Sequence, residues 1–409
     1  MASDRSPAHP ATRRSVLLAG GAAFGAAYLP RSAHAANGRD PRLVVIVLRG
    51  ALDGLTAVAP VGDPDYAGLH GAIALSDTGP NPALVLDGFF ALNPGMPAFA
   101  RMFHDKNASI IHATATGYRD RSHFDGQDVL ESGFPGPGHT TSGWLNRAIG
   151  ELPKGDRAAV KGGLGVGAVT PLIMRGGAPV VGWAPTALPQ AADDLAMRLM
   201  ELYRARDPDL ARSLAQGLGV EKIAAREMSD KPPHGGNEAA LMRRVGEGVA
   251  KLLAPADGPR IAALAFDGWD THANEGGATG RLPTLLGGLD GTFDAFEKTL
   301  GPAWKDTAIV AITEFGRTAR INGTVGTDHG TGTVAFLAGG AVKGGRVIAD
   351  WPGLKQANLY QNRDLKPTTD LRAVLKGLLA DQFGLSAQTL ATKVFPDSIG
   401  VAPMKGLVA

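Results

Sequence analysis

The sequence predicts an α/β fold: three layers, with a mostly parallel central sheet and helices on both of its faces. Three observations carry this. Five apolar runs of strand length recur along the chain, helix-patterned segments lie between or after them, and clusters of polar residues follow four of the five runs directly. Continuous apolar runs, as opposed to alternating ones, mark strands covered on both faces.

In chain order the strand candidates are RLVVIVL (Arg42 to Leu48), ASIIHAT (Ala108 to Thr114), RIAALAF (Arg260 to Phe266), TAIVAIT (Thr307 to Thr313) and TVAFLAG (Thr333 to Gly339). Helical patterning appears in DDLAMRLMELYRARDPDLARSLAQGL, NEAALMRRVGEGVAKLLA, LPTLLGGLDGTFDAFEKTLG and TTDLRAVLKGLLADQFG. The last has a Thr expected to cap its start and a Gly expected to close it. GFPGPGHTTSG (Gly133 to Gly143) reads as a loop between helices, and MSDKPPHGGN, around Met228 to Gly236, as an exposed linker and candidate domain boundary. GGAVKGGRVIADWPG reads as a hairpin with Gly turns, because it lacks the strand–loop–helix context of a phosphate cradle. No internal repeat is evident.

With 409 residues, one large α/β domain with insertions and two closely joined domains are both open. The assignment made is a leader over residues 1–35 and an α/β domain over 36–409. Apolar residues at 44% and charged residues at 20% argue against disorder of the bulk, while 56 Gly and 28 Pro imply many turns.

The leader rests on Arg13 and Arg14, an uncharged run from Ser15 to Pro30, and Ala33-His34-Ala35, a small-x-small cleavage signature. It predicts twin-arginine export to the periplasm or beyond, in the folded state, with cleavage after Ala35. The run is shorter than the roughly 20 apolar residues that span a bilayer, so no stable membrane span is expected after cleavage. Of 41 basic and 39 acidic residues, four basic and one acidic fall in the leader, leaving 37 and 38. That near-neutral balance argues against a general nucleic-acid partner. With no cysteine, disulfides, thiolate metal sites and a cysteine nucleophile are excluded.

Ligands of open α/β sheets bind beyond the carboxyl ends of the strands. There the chain places RGALDGL (Arg49 to Leu55), ATGYRDRSHFDGQD (Ala115 to Asp128), DGWDTHANEG (Asp267 to Gly276) and EFGRTARINGTVGTDHG (Glu314 to Gly330). These loops are expected to converge on one rim.

LRGALDGL, RDRSHFDGQDVLESG, GWDTHANEG, TEFGRTARINGTVGTDHGTG and the later GGAVKGGRVIADWPGL, in this order behind a twin-arginine leader, resemble an exported bacterial family catalogued as domain of unknown function 1501. That family is similar in turn to the alkaline phosphatase and sulfatase superfamily, whose members hold one or two divalent metals at the carboxyl ends of a parallel sheet. The resemblance implies an alkaline-phosphatase-like fold and a metal-dependent hydrolase of phosphate or related esters. It implies a small anionic ester as substrate, a divalent metal (zinc or manganese before others), and an exported companion protein as a partner.

The ligand candidates this implies are Asp53, Asp270, His272, Glu314, Asp328 and His329. Asp270 and His272 lie two apart and can face one ion from an extended loop. Asp328 and His329 need a bent loop, which Gly326 and Gly330 permit. Ser122 is the nucleophile candidate, at the start of SHFDGQDVLES, where helix N–H groups favour an anion; it reads equally as an ordinary N-cap. His123 stands as ligand, base or cap. Arg49 and Arg317 can clamp an anion, while Arg119 and Arg121 can hold one or be solvated.

Departures from the superfamily pattern are concrete. Arg49 occupies the place of the metal-binding Asp after the first strand, with Asp53 four residues later. Phe315 fills a usual His position, and no His follows His329. One metal, or none, fits better than two. No Cys/Ser-x-Pro-x-Arg pattern surrounds Ser122, so formylglycine sulfatase activity is not expected. The alternative is a catalytically retired anion-binding or partner-binding envelope protein on the same scaffold. Trp144 and Trp269 read as packed rather than substrate-stacking.

Overall fold

Apolar runs covered on both sides must pair edge to edge in the interior, and they do so here. The structure, a computed structural model, describes residues 39–153, 158, 162–167, 169–184, 214–215 and 238–409. Its strands among these residues are β1 (Arg42–Leu48), β2 (Val58–Ala59), β3 (Leu84–Val85), β4 (Ala91–Leu92), β5 (Ala108–Ala115), β6 (Gly163–Val166), β7 (Val180–Trp183), β8 (Ile261–Phe266), β9 (Thr307–Ile312), β10 (Thr333–Ala338), β11 (Arg346–Ile348) and β12 (Thr369–Asp370). Nine form one sheet in the order β11-β5-β10-β9-β1-β8-β6-β7, with β12 also on β5. Strands β2, β4 and β3 form a small separate sheet.

Side chains of β1 alternate between two cores, which defines the three layers. Val44, Ile46 and Leu48 join Phe99, Met242, Val245, Leu285 and Phe293 on one face. That face is covered by the helices Pro97–His104, Glu238–Leu253 and Arg281–Leu300. Leu43, Val45 and Val47 join Trp144, Leu145, Leu371 and Leu375 on the other, under the helices Trp144–Gly150 and Leu371–Phe383. Strand β1 pairs parallel with β8 and β9, β6 with β7 and β8, and β11 and β12 with β5, so the sheet enclosed by these helices is mostly parallel.

Strand β10 is the exception, running antiparallel to both β5 and β9. The reason lies in its connection: residues 313–332 contain no helix that could carry the chain back across the sheet, so it re-enters from the end it left. The stretch after β10 is not the hairpin expected from its glycines. It crosses to the far edge of β5, where β11 pairs parallel to it. Within it, Gly339 (φ 136°) sits where a side chain would strike the carbonyl of Thr307, so its glycines serve close packing.

The cap of the last long helix also differs from expectation. Thr369 lies in β12, and Asp370 accepts from the Arg372 backbone N–H at 2.9 Å, while Gly384 closes the helix in the left-handed conformation. The loop 133–143 does join two helices, His123–Ser132 and Trp144–Gly150. The leader, the helical pattern at 193–218 apart from residues 214–215, which are helical, and the linker at 228–236 lie outside the described residues. Among the described residues no helix is long and apolar enough to cross a membrane.

Candidate metal centre

Four strands deliver polar loops to one end of the sheet: β1, β5, β8 and β9, with the start of β10 arriving there too. Close backbone contact holds the loops together. Gly50 (φ 122°) lies against the β8 loop, where a Cβ would come within 2.5 Å of the Asp270 backbone nitrogen. Gly326 lies equally close to His272.

Three imidazoles meet at the centre. His329 Nε2 is 2.9 Å from His123 Nε2 and 3.0 Å from His272 Nε2. Asp270 Oδ1 lies 3.3 Å from His329 Nε2 and 3.1 Å from His272 Nε2, and Asp270 Oδ2 is 3.5 Å from His123 Nε2. Each ring turns its other nitrogen toward an oxygen. His123 Nδ1 faces Glu314 Oε1 at 2.9 Å, His272 Nδ1 faces Asp328 Oδ1 at 3.3 Å, and His329 Nδ1 faces the Arg121 carbonyl at 3.0 Å. Oxygens of these kinds accept, so each Nδ1 is placed to donate, and in the neutral form of each ring the Nε2 lone pair faces inward. Three lone pairs and a carboxylate crowded together repel unless a cation or proton lies among them. One ligating atom each from His123, Asp270 and His329 lies within 4.8 Å of the others, close enough to share one ion. His272 borders two of the three.

The surroundings tune these groups. A hydrogen bond with Glu314 raises His123 above the ordinary histidine value, against the opposing effect of burial. Burial lowers His329, and neighbouring His123 and Arg317 lower it further. Burial pushes Asp270 upward, but Arg317 outweighs it and the carboxyl ends below its usual value. Asp328 is lowered chiefly by the Asn322 amide, which donates to it at 3.0 Å.

Glu314 and Asp328 thus stand one layer out, each behind a histidine. Glu314 is fully buried: its Oε1 also accepts from the Gly50 N–H at 2.8 Å and the Gln127 amide at 3.1 Å, and its Oε2 from Thr313 at 2.9 Å. His123, read as ligand, base or cap, joins the central cluster. Arg317 is enclosed, donating to Asp270 and to the Thr327 carbonyl, while Arg49 donates to Glu131 at 2.6 Å. The two guanidinium groups serve separate carboxylates, so no clamp between them forms. Arg121 pairs with Asp364, and Arg119 donates to backbone carbonyls.

Asp53 does not reach the cluster. It caps the short helix Gly54–Ala57 through the Leu55 N–H at 2.9 Å, and its Oδ2 accepts from Thr56 at 2.6 Å and meets His70 Nε2 at 3.3 Å. Glu275 faces it, both side chains buried. Two buried carboxyls in contact cannot both ionise comfortably. Burial and Asp53 together raise Glu275 well above its usual value; burial pushes Asp53 up too, but His70, Glu275 and Thr56 overcome this and keep it ionised. Glu275 also accepts from Thr327 at 2.6 Å, linking the pair through Arg317 to Asp270. Sequence reasoning missed His70 and Glu275: Glu275 lay inside a quoted polar cluster, but nothing in its spacing marked it as a partner of Asp53.

Ser122 is the N-cap position of the ten-residue helix His123–Ser132, without a side-chain capping bond. Trp144 and Trp269 are fully buried, each donating its indole N–H to a backbone carbonyl.

No curated protein matches this chain. Among solved structures, similarity is found to Ps i-CgsB in complex with k-i-k-neocarrahexaose, at 12% identity over 89% of this chain and 77% of that one, with a TM-score of 0.41. A protein in the alkaline phosphatase superfamily from Vibrio parahaemolyticus is 12% identical over 74% and 61%, with a TM-score of 0.34. A phosphonate monoester hydrolase of Agrobacterium radiobacter is 12% identical over 84% and 74%, with a TM-score of 0.33. Scores this low assign no residue a role. The likeness in sequence is of another order: a family model matches residues 40–394, from before β1 to the last helical turn, and the chain belongs to that family, described as Protein of unknown function (DUF1501).

Proposed function

We propose that this chain is a metal-dependent hydrolase of phosphate or related esters. The observation that carries the reading is the convergence of three Nε2 atoms and one carboxylate, each Nδ1 being tied to an oxygen. That is the arrangement of imidazoles prepared for a cation, with outer oxygens fixing tautomer and ring orientation. His123, Asp270, His272 and His329 would hold the ion, a donor set of nitrogen and oxygen that suits zinc and also admits manganese. A bound divalent ion would supply neutralisation of the ester's developing negative charge.

The chain's own residues do the rest. Glu314, Asp328 and the Arg121 carbonyl orient the imidazoles. Arg317 keeps Asp270 ionised and fixed. The helix that begins after Ser122 starts at His123 of the cluster, so its first N–H groups would favour an anionic group there, and the Ser122 hydroxyl is the attacking group in this reading. A small anionic ester is the substrate class.

Export by the twin-arginine route, with cleavage after Ala35, belongs to the same proposal. Lysine at both Arg13 and Arg14 should hold an uncleaved precursor in the cytoplasm, visible by fractionation.

A second reading, a retired scaffold that binds an anion or partner without turnover, is favoured by one observation: Arg49 and Arg317 are both taken up by carboxylates and offer a substrate little. Elemental analysis of the leader-cleaved protein decides first. About one equivalent of zinc or manganese, lost in a His272→Ala, His329→Ala variant, supports the hydrolase. No metal after incubation with either ion removes its basis, while metal without turnover of any phosphate or sulfate ester, and no effect of Ser122→Ala, leaves the second reading.

A further inference from the structure

Two apolar side chains stand exposed beside the histidine cluster. Phe124 follows His123 in the first turn of its helix and is 90% exposed, the highest value among the large hydrophobic residues described. Val325 is 42% exposed and occupies the loop that clasps His272. His123 and His272 each contact His329; Phe124 follows His123 in the chain, and Val325 lies between Thr324 and Gly326, both of which touch the His272 backbone.

Val325 is not left outside by slack in its loop. Asn322 donates to both the His272 carbonyl and Asp328, Gly326 N–H and Thr324 donate back to the Asn322 side chain, and the Val325 carbonyl accepts from Glu275 at 3.1 Å. This pinned turn holds Val325 at φ +55°, a left-handed conformation that β-branched residues rarely adopt. A glycine or asparagine would meet the backbone demand without strain, so the backbone alone does not explain an exposed valine. Strain kept at the edge of a polar site is a pointer to function.

We infer that Phe124 and Val325 form an apolar rim that seats a ring or other apolar group carried by the anionic ligand. The inference rests on the metal-dependent reading above and deepens it by naming the substrate class: an anionic ester with an aromatic or similarly apolar substituent next to the charged group. The charged end meets the cluster and the helix start, and the ring lies against Phe124, where offset or edge contact is favourable.

The test uses the leader-cleaved full chain loaded with zinc, and two non-hydrolysable probes, phenylphosphonate and methylphosphonate, titrated by calorimetry. The wild type should bind the phenyl compound about tenfold or more tightly than the methyl one, the scale of a partly buried ring. Phe124→Ala should collapse that ratio toward one, and Val325→Ala should reduce it. A ratio near one in the wild type, a ratio unchanged in both variants, or no binding of either probe overturns the inference. Phe124→Leu, with an intermediate ratio expected, keeps the test decisive if the alanine variant folds poorly. Turnover is read separately: phenylphosphonate preference without hydrolysis of phenyl phosphate sinks the hydrolase and leaves the rim, whereas hydrolysis with a ratio near one does the reverse.

Discussion

Glu314 shows how one residue's placement decides its role. At the end of a strand, it is one of the ligand candidates that the family resemblance implies. Its oxygens are instead consumed by Gly50, Gln127, Thr313 and His123, which makes it the group that orients His123. Glu314→Gln keeps the size and removes the charge, so it should fold while losing about 10- to 100-fold in zinc affinity, as substitutions behind metal-bound histidines do. Competition with a chromogenic chelator measures this, and unchanged affinity would mean His123 needs no partner. The Asp53–Glu275 pair makes a sharper contrast. Burial and Asp53 hold Glu275 well above its usual value, so Glu275→Gln, neutral and of the same size, should change stability by less than about 1 kcal/mol. Asp53→Asn turns an amide toward Thr56, His70 and Glu275 or abandons the Leu55 N–H, and should cost about 2–4 kcal/mol. Urea unfolding of the two variants distinguishes them; equal losses would show that Glu275 is ionised.

At the scale of elements, β5 carries the clearest consequence of burial. His112, in the middle of that strand, is fully enclosed, with Nε2 donating to the Val58 carbonyl of β2 at 2.9 Å and Nδ1 accepting from the Ala113 N–H at 2.8 Å. Both nitrogens of the neutral ring are therefore used, and burial lowers its pKa from 6.5 to about 4. In the unfolded chain the ring takes a proton below about pH 6.5, and in the folded chain only near pH 4. Its contribution is complete above the unfolded value and falls away as pH drops toward 4, amounting to about 2 kcal/mol lost by pH 5. Urea unfolding at pH 7 and pH 5 should show wild type losing stability between them, with His112→Gln flattening that dependence by about one proton; an unchanged slope would place the proton elsewhere. The strand itself was legible because an unbroken apolar run needs no tertiary information. The direction of β10 was not, since direction depends on what the preceding connection can cross. Likewise Asp370 and Thr369 are both good caps by type and both lie in β12, and it is Asp370, directly before the helix, whose side chain accepts from the Arg372 N–H.

Across the whole molecule, the sequence showed which loops share a rim, because strand ends in an α/β sheet lie at one edge by construction. It did not show which side chains touch, as the split between the His–Asp cluster and the Asp53 network depends on a few ångströms of loop packing. The central residues come from segments far apart in sequence: His123 after β5, Asp270 and His272 after β8, His329 before β10. In the sheet these strands stand on both sides of β9 and β1. An ion at the centre would therefore join loops across five strands of the sheet, loops otherwise held by hydrogen bonds to one another. Binding only the folded form, it would add stability by mass action, about 2.7 kcal/mol at a free concentration one hundred times its dissociation constant. For a chain of this size that is a shift of a few degrees in melting temperature. Zinc-loaded protein should melt above chelator-treated protein, the difference growing with free zinc, and the His272→Ala, His329→Ala variant should show almost none. A wild-type protein that contains zinc but melts identically with and without chelator would place its metal away from these loops, and the convergence of the three imidazoles would then need another cation or a shared proton to explain it.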